Sequence, residues 1–260
     1  MWKMRLYENI PDKNSLLYDI LEWRRSPYQE IIVGKAPGLG RILLLDGSLQ
    51  IAELDERIYH ELLIHPAMHF SQAKRVLLLG AGDGLALREL WKHPVERVTM
   101  VELDKEVIEV SKRWFGDLQE GSFEDPRLEL IIGDALEYME KSNERFDLVV
   151  GDLVDPGDHE FLYKIELFKK MLKPGGVFAT NAGAFNISKP EAQELYKKIK
   201  PHFKHTFIYV HYIESFDEIW GFIVASDKEL SFPVRWPELK GISKDYNFYM
   251  PPYLKKALEE

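Results

Sequence analysis

Cysteine is absent from the 260 residues, which excludes a disulfide framework, a thiolate metal site and a cysteine nucleophile. Long apolar runs are missing as well. None approaches the roughly 18 to 20 residues of a membrane-spanning helix, and Met1 to Ile10 lacks the apolar stretch of a secretory signal. No membrane partner is expected, and the expected location is the cytoplasm. Any metal would have to lean on histidine, yet the eight histidines show no HExxH pair or comparable ligand spacing, so no metal is expected. Basic charge is in deficit, with 34 Lys and Arg against 43 Asp and Glu and a net charge of −9. That balance opposes binding to a phosphate backbone, and nucleic acid is not an expected partner.

What is present is a globular composition, 45% hydrophobic, able to bury one large core with a small appended module. Residues 1–54 predict an N-terminal antiparallel β domain. Its runs are Leu16 to Trp23, Tyr28 to Val33 and Arg41 to Leu45, with turn signals at Pro37-Gly38 and Asp46-Gly47. A helix over Asp55 to Phe70 opens the second domain, residues 55–260. From Lys74 short β-rich runs alternate with helical ones: Val76 to Leu79, Leu85 to Trp91, Val98 to Val101, Lys105 to Trp114, Leu128 to Ile132, Ala135 to Glu140, Phe146 to Val150. Alternation of this kind makes a parallel sheet with helices on both faces. A helix at His159 to Leu172, the Lys173-Pro174-Gly175-Gly176 turn and a strand at Val177 to Thr180 continue it. After a helix over Pro190 to Ile199, the runs Phe203 to Tyr212 and Glu218 to Ala225 are spaced to pair as a hairpin. The prediction is a doubly wound α/β fold of methyltransferase Rossmann type, with a mostly parallel seven-stranded sheet.

The first buried strand runs into Gly80-Ala81-Gly82-Asp83-Gly84, whose glycines allow a sharp turn and close approach of a ligand. Glu102, at the end of the second strand and 20 residues past Gly82, stands where an acid accepts hydrogen bonds from ribose hydroxyls. Gly133-Asp134-Ala135 follows the third strand, where an acid can accept from an adenine amino group. Each acid has an alternative use, capping the helix that follows it. Three successive strand ends carrying Gly or acid favour a ligand, because open α/β sheets bind ligands beyond the carboxyl ends of their strands. Asp83 would repel the carboxylate of intact S-adenosylmethionine and attract the bare ammonium left by decarboxylation. The fourth strand ends in Gly151-Asp152-Leu153-Val154-Asp155-Pro156, two acids able to converge on one cation or to form an Asx turn ended by Pro156. An amine nucleophile, with a pKa near about 10, must lose a proton before it attacks carbon. Asp152 is the candidate general base and Asp155 the candidate partner that orients the ammonium.

With those motifs in view, the chain resembles the spermidine synthase family of aminopropyltransferases from about Leu16 to Asp227. Tyr28-Gln29-Glu30, Leu45 to Gln50, Glu53 to Glu56, Tyr59-His60-Glu61, the GAGDG loop, Val101 to Asp104, Gly133 to Ala135 and Asp152 to Pro156 match its signatures in order. The resemblance implies no prosthetic group, with decarboxylated S-adenosylmethionine as co-substrate and a polyamine as acceptor. It further implies that Gln29, Gln50, Glu102 and Asp134 contact the adenosyl part, with Gly80, Gly82 and Ala135 alongside. Asp83 would hold the donor's amine, Tyr59 and His60 would line the acceptor channel, and the assembly would be a homodimer or homotetramer.

Departures from the family pattern concern the acceptor. Leu153 and Val154 replace small polar residues, and Ser215-Phe216-Asp217-Glu218-Ile219-Trp220-Gly221-Phe222 lacks the family's pocket tyrosine. Those stretches, with Thr180-Asn181-Ala182-Gly183, look more like the thermospermine synthase branch, so spermidine is the favoured acceptor. A spermidine synthase using putrescine and an aminopropylagmatine synthase are the alternatives within the family. Outside it stand an S-adenosylmethionine methyltransferase and a silent polyamine-binding module.

Overall fold

The computed structural model describes residues 3–5, 17–153, 164–185 and 191–230. Two sheets organise them. The first is antiparallel, with β1 (Lys3–Arg5), β2 (Leu17–Arg25), β3 (Glu30–Ala36), β4 (Gly40–Leu45) and β5 (Ser48–Ala52) side by side in chain order. The Asp46-Gly47 turn is as the sequence predicts, with both residues at positive φ. Strand β5, absent from the sequence reading, follows that turn directly. Its motif was legible, but the alternation is short.

The second sheet has seven strands in the order β11-β12-β10-β9-β6-β7-β8. Strands β6 (Arg75–Gly80), β7 (Arg97–Glu102), β8 (Leu128–Ile132), β9 (Phe146–Asp152) and β10 (Leu172–Ala184) run parallel, while β11 (His205–Ile213) and β12 (Glu218–Ser226) form the antiparallel hairpin. The apolar runs that predicted two-sided burial are fully buried: Val76, Leu77, Leu78 and Leu79 all have 0% exposure. Helices α1 (Glu56–Ser71), α2 (Leu85–Trp91), α3 (Lys105–Gln119), α4 (Ala135–Lys141), α5 (Ile165–Lys170) and α6 (Glu191–Ile199) complete the layers. Of the helix expected over His159 to Leu172, residues 159–163 lie outside the described set. Leu172 already belongs to β10, where the Lys173 to Gly176 turn is absorbed as a break in register between Leu172 and Val177. Residues 231–260 also lie outside.

The first sheet docks through Ile31, Val33, Leu43 and Ile51, which share a buried cluster with Leu85 of α2 and Val107, Val110 and Phe115 of α3. Charge fixes the same contact. Arg41 forks between Glu53 and Asp117 (2.6 to 2.7 Å) and donates to the Trp114 carbonyl, while Arg113 and the Trp114 indole both donate to Glu22. Helix α1 carries Pro66 in its interior, which leaves the Leu62 carbonyl without its usual helical donor. The buried Tyr209 hydroxyl of β11 supplies that donor at 2.7 Å, tying the helix to the hairpin edge of the sheet.

Gly80 shows how tightly the strand ends are set. Its φ is +79°, and a Cβ there would stand 2.1 Å from the Asp152 carbonyl oxygen. Substitution by Ala combines about 1–2 kcal/mol of left-handed strain with about 1–3 kcal/mol of overpacking. Gly80→Ala is expected to melt roughly 5–20 °C lower, at about 2–4 °C per kcal/mol. Gly116, inside α3 with open space where a Cβ would stand, is the control. Gly116→Ala is expected to gain about 0.5–1 kcal/mol from helix propensity. Calorimetric melting of both variants checks the pair.

Candidate active site

Strands β6 and β9 pair in parallel to their carboxyl ends, with Gly80 opposite Asp152 and the Ala81 amide donating to the Asp152 carbonyl at 3.2 Å. The pairing brings the loop after β6, which carries Asp83, against the end of β9. A cleft of about 470 Å³ opens there, roofed by β4 and β5 of the first sheet. Every predicted site residue among those described borders it: Gln29, Gln50, Tyr59, His60, Gly80, Gly82, Asp83, Glu102, Asp134, Ala135 and Asp152. Asp155 lies outside the described residues.

Of the acids, Asp134 both caps the following helix and borders the cleft, whereas the N-cap of α2 is Gly84 and that of α3 is Asp104. Asp134 accepts from the Glu137 amide at the start of α4, and Asp83 accepts through Oδ1 from the Leu85 amide at the start of α2. Each carboxylate keeps a second oxygen, and that of Asp83 faces the His60 ring at 3.6 Å. Glu102 is 8% exposed and accepts from the Asp104 amide. Burial, together with the charges of Asp104 and Asp83, outweighs its backbone hydrogen bonds and pushes it up to about 7. Gly82 is required by this approach, since a Cβ would sit 3.0 Å from the Glu102 carboxylate and 2.9 Å from Val107. Gln29 donates to Asp104, the N-cap of α3, and so joins the first sheet to the site.

Asp152 accepts from the Tyr59 hydroxyl at 3.0 Å. Burial and then the Asp83 charge push its carboxyl up to about 6, with His60 and the Tyr59 bond pulling the other way. Ligand atoms of His60, Asp83 and Asp152 all lie within 4.8 Å of one another, a set sized for one small cation. The surroundings of His60 decide which kind. Its Nδ1 faces only oxygens of Glu56, the backbone carbonyl at 2.6 Å and the carboxylate at 3.2 Å, and its Nε2 faces the Asp83 carboxylate. Burial disfavours the ring's charge, but Asp83 and Glu56 overcome it and hold the pKa well above the ordinary value. A ring protonated on both nitrogens has no lone pair for a metal.

A second cluster escaped the sequence reading. Glu61, His65 and Glu89, each 0% exposed, meet between α1 and α2. Lys92 and Arg88 already supply its positive charge, at 2.6 Å from the two Glu89 oxygens. Glu61 and His65, four residues apart, carried the signal, which a search restricted to HExxH passes over. The far wall of the cleft is lined by Leu153, Asn181, Phe216 and Trp220, all within the stretches that the sequence ties to the acceptor. The Asn181 amide donates to the Leu153 carbonyl at 2.9 Å, while its buried Oδ1 has no hydrogen-bond partner among the described residues. Among those residues no helix is long and apolar enough to cross a membrane.

Comparison with known proteins agrees with this geometry. The family model "Spermine/spermidine synthase domain" matches residues 56–233. A polyamine aminopropyltransferase of Aeropyrum pernix is 40% identical over 87% of this chain and 76% of its own length. Thermospermine synthase ACAULIS5 of Arabidopsis thaliana is 38% identical over 84% of this chain and 67% of its own. A crystal structure of spermidine synthase in complex with the transition state analogue AdoDATO superposes with a TM-score of 0.84 at 29% identity, covering 94% of this chain and 90% of that one. A cleft walled by acids at successive strand ends, on this sheet order and with these relatives, has one family home: the chain belongs to the spermine/spermidine synthase family.

Proposed function

We propose that the chain transfers the aminopropyl group of decarboxylated S-adenosylmethionine to an amine of a polyamine, with spermidine the preferred acceptor and a tetraamine the product. The observation that carries this reading is the pair of carboxylates, Asp83 and Asp152, on neighbouring strand ends beside Glu102 and around a single cation-sized gap. Glu102 would hold the ribose hydroxyls and Asp134 the adenine amino group, with Gln29, Gln50 and Ala135 around them. Asp83 would grip the ammonium at the far end of the aminopropyl chain, which points the reacting carbon at Asp152. The acceptor enters as an ammonium and gives a proton to Asp152. Its nitrogen lone pair then forms a bond to the aminopropyl carbon as the carbon–sulfur bond breaks, and that electron pair stays on sulfur in methylthioadenosine. Tyr59 would steady Asp152 through its hydroxyl, and Asp155 retains its assignment as the residue that orients the acceptor. A methyltransferase would need room for the donor's carboxylate, and Asp83 stands against it.

Asp152→Asn tests the base. General-base loss typically costs ~10² to 10⁴ in rate, so turnover at saturating acceptor is expected to fall by that order while donor affinity changes little. Raising the pH should restore part of the loss, because more acceptor then arrives unprotonated. Near wild-type turnover in a folded variant would remove Asp152 from the role.

The acceptor preference rests on the far wall. Leu153, Phe216 and Trp220 give it apolar surface that suits the methylenes of a longer chain. Spermidine is expected to have the higher kcat/KM in steady-state assays run against putrescine; the reverse ranking would leave aminopropyl transfer intact and refute the acceptor.

Donor binding should also be linked to pH. An ionised Glu102 accepts the ribose hydroxyls, whereas the empty site holds a proton with a pKa of about 7. Binding must therefore expel it. Affinity is expected to be constant above that pH, to fall as pH drops below it, and to release about half a proton at pH 7. Calorimetry in buffers of different ionisation heat measures the release, and Glu102→Gln should abolish it.

A further inference from the structure

Beneath the cleft, buried charged side chains form an unbroken line from α2 to the carboxylates. Arg88 is gripped on both sides. Its Nε donates to Glu89 at 2.6 Å, and its two terminal nitrogens donate to the two oxygens of Glu56, each at 2.9 Å. Glu56 and Arg88 are 5% and 3% exposed. The Glu56 carboxylate turns next to the His60 Nδ1, one helical turn along α1, and the opposite edge of the ring faces Asp83. His60 and Asp83 border the cleft, whereas Glu56, Arg88 and Glu89 stand behind them. Two negative residues of the cleft, Asp83 and Asp152, thus stand close to one buried ring that has carboxylate oxygens on both of its nitrogen edges.

We propose that Glu56, aligned by Arg88, is a positioning residue that fixes the His60 ring as the resident counter-charge of Asp83 and Asp152. The geometry explains why a second carboxylate lies behind the ring. A neutral ring donates from one nitrogen only: with the proton on Nδ1, given to the Glu56 carbonyl at 2.6 Å, the Nε2 lone pair faces the Asp83 carboxylate, and with the proton on Nε2 the Nδ1 lone pair faces that carbonyl. The Glu56 carboxylate makes the doubly protonated ring the favoured state. Arg88 keeps that carboxylate ionised and fixes its plane with two parallel bonds. A cationic His60 in turn lowers the cost of holding Asp152 ionised next to Asp83. Neutral His60 would leave those two carboxylates facing each other with no compensation, and one would take up a proton.

The groups bearing on His60 are Glu56 and Tyr59 from α1, Asp83 from the loop before α2, and Asp152 from the end of β9; Arg88 acts through Glu56. Loss of the Glu56 charge therefore has a defined sign. The ring's proton affinity falls, the attraction that lowers the Asp152 pKa from its burial-raised value fades, and Asp152 becomes harder to ionise. Catalysis at low pH fails first.

The effect on rate rests on the reading of Asp152 as base, so the test uses two readouts. In Glu56→Gln the acid limb of kcat is expected to move up by about one pH unit, while donor KM at alkaline pH changes little and kcat there recovers. His60→Gln should move the limb in the same direction, and the double variant should add little to either. Independently, imidazole ¹⁵N shifts of the resting enzyme, assigned by difference with His60→Gln, should show His60 doubly protonated at pH 7 in the wild type and losing that signature in Glu56→Gln. A protonated His60 signal unchanged by Glu56→Gln overturns the proposal, whatever Asp152 does. Should Glu56→Gln fail to fold, an unmoved acid limb in His60→Gln overturns it equally. A lowered melting temperature with an unmoved limb would mark Glu56 as structural only.

Discussion

Two carboxylates of like sign held at the ends of adjacent strands are the constraint around which this molecule is built. Asp83 and Asp152 cannot separate, because the β6–β9 pairing runs to Gly80 and Asp152 and continues through the Ala81 amide. At separations of about 4 to 5 Å, two unit charges repel by roughly 3–4 kcal/mol at an effective dielectric near about 20. On the function proposed above, that repulsion would favour a cationic donor tail and a cationic acceptor.

The relief in the empty state comes from the helix layer. Helix α1 presents Tyr59 and His60 to the cleft and Glu56 to the interior, and α2 answers with Arg88 and Glu89. Burying an Arg–Glu pair gives little net stability and breaking one is costly, since removal of a partner strands the other charge. The location of this pair under the site suggests that its value lies in where it places His60. The Glu61–His65–Glu89 group continues the same α1–α2 seam, with His65 bonded to His93, so the seam is polar along much of its length.

The fold was legible in the sequence because its signals are local and repeated. Apolar runs such as Val76 to Leu79 mark buried strands, and glycine or acid at successive strand ends marks the ligand edge. What escaped has physical reasons. Strand β5 has only five residues, too few for alternation to stand out, and β10 swallows a Pro-Gly-Gly segment that reads as a turn because the extra residues bulge from the ladder. Glu56 and Arg88 were invisible as site residues since neither lines the cleft, and a charged residue in a helix ordinarily reads as solvent-facing. The i, i+4 step from Glu56 to His60 was the available clue. Asp134 shows a different limit: sequence posed capping and ligand binding as alternatives, whereas one of its oxygens caps α4 while the residue still borders the cleft.

The balance at Asp152 shows why both burial and a counter-charge are needed. A protonated amine with a pKa near about 10 gives its proton to a carboxylate at about 3.8 only across some six units, or roughly 8 kcal/mol. Burial and Asp83 narrow that gap by raising Asp152, to about 6 in the empty site. Raising it further would make a stronger base that is protonated at neutral pH and so unable to act. A carboxyl raised to about 6 lies near the compromise that general-base catalysis favours at neutral pH. His60 and Tyr59 are the two groups that pull against burial to set that value, so on the proposed assignment of Asp152 as base the ring's charge, with the Glu56–Arg88 pair behind it, would tune that base from behind the wall of the cleft.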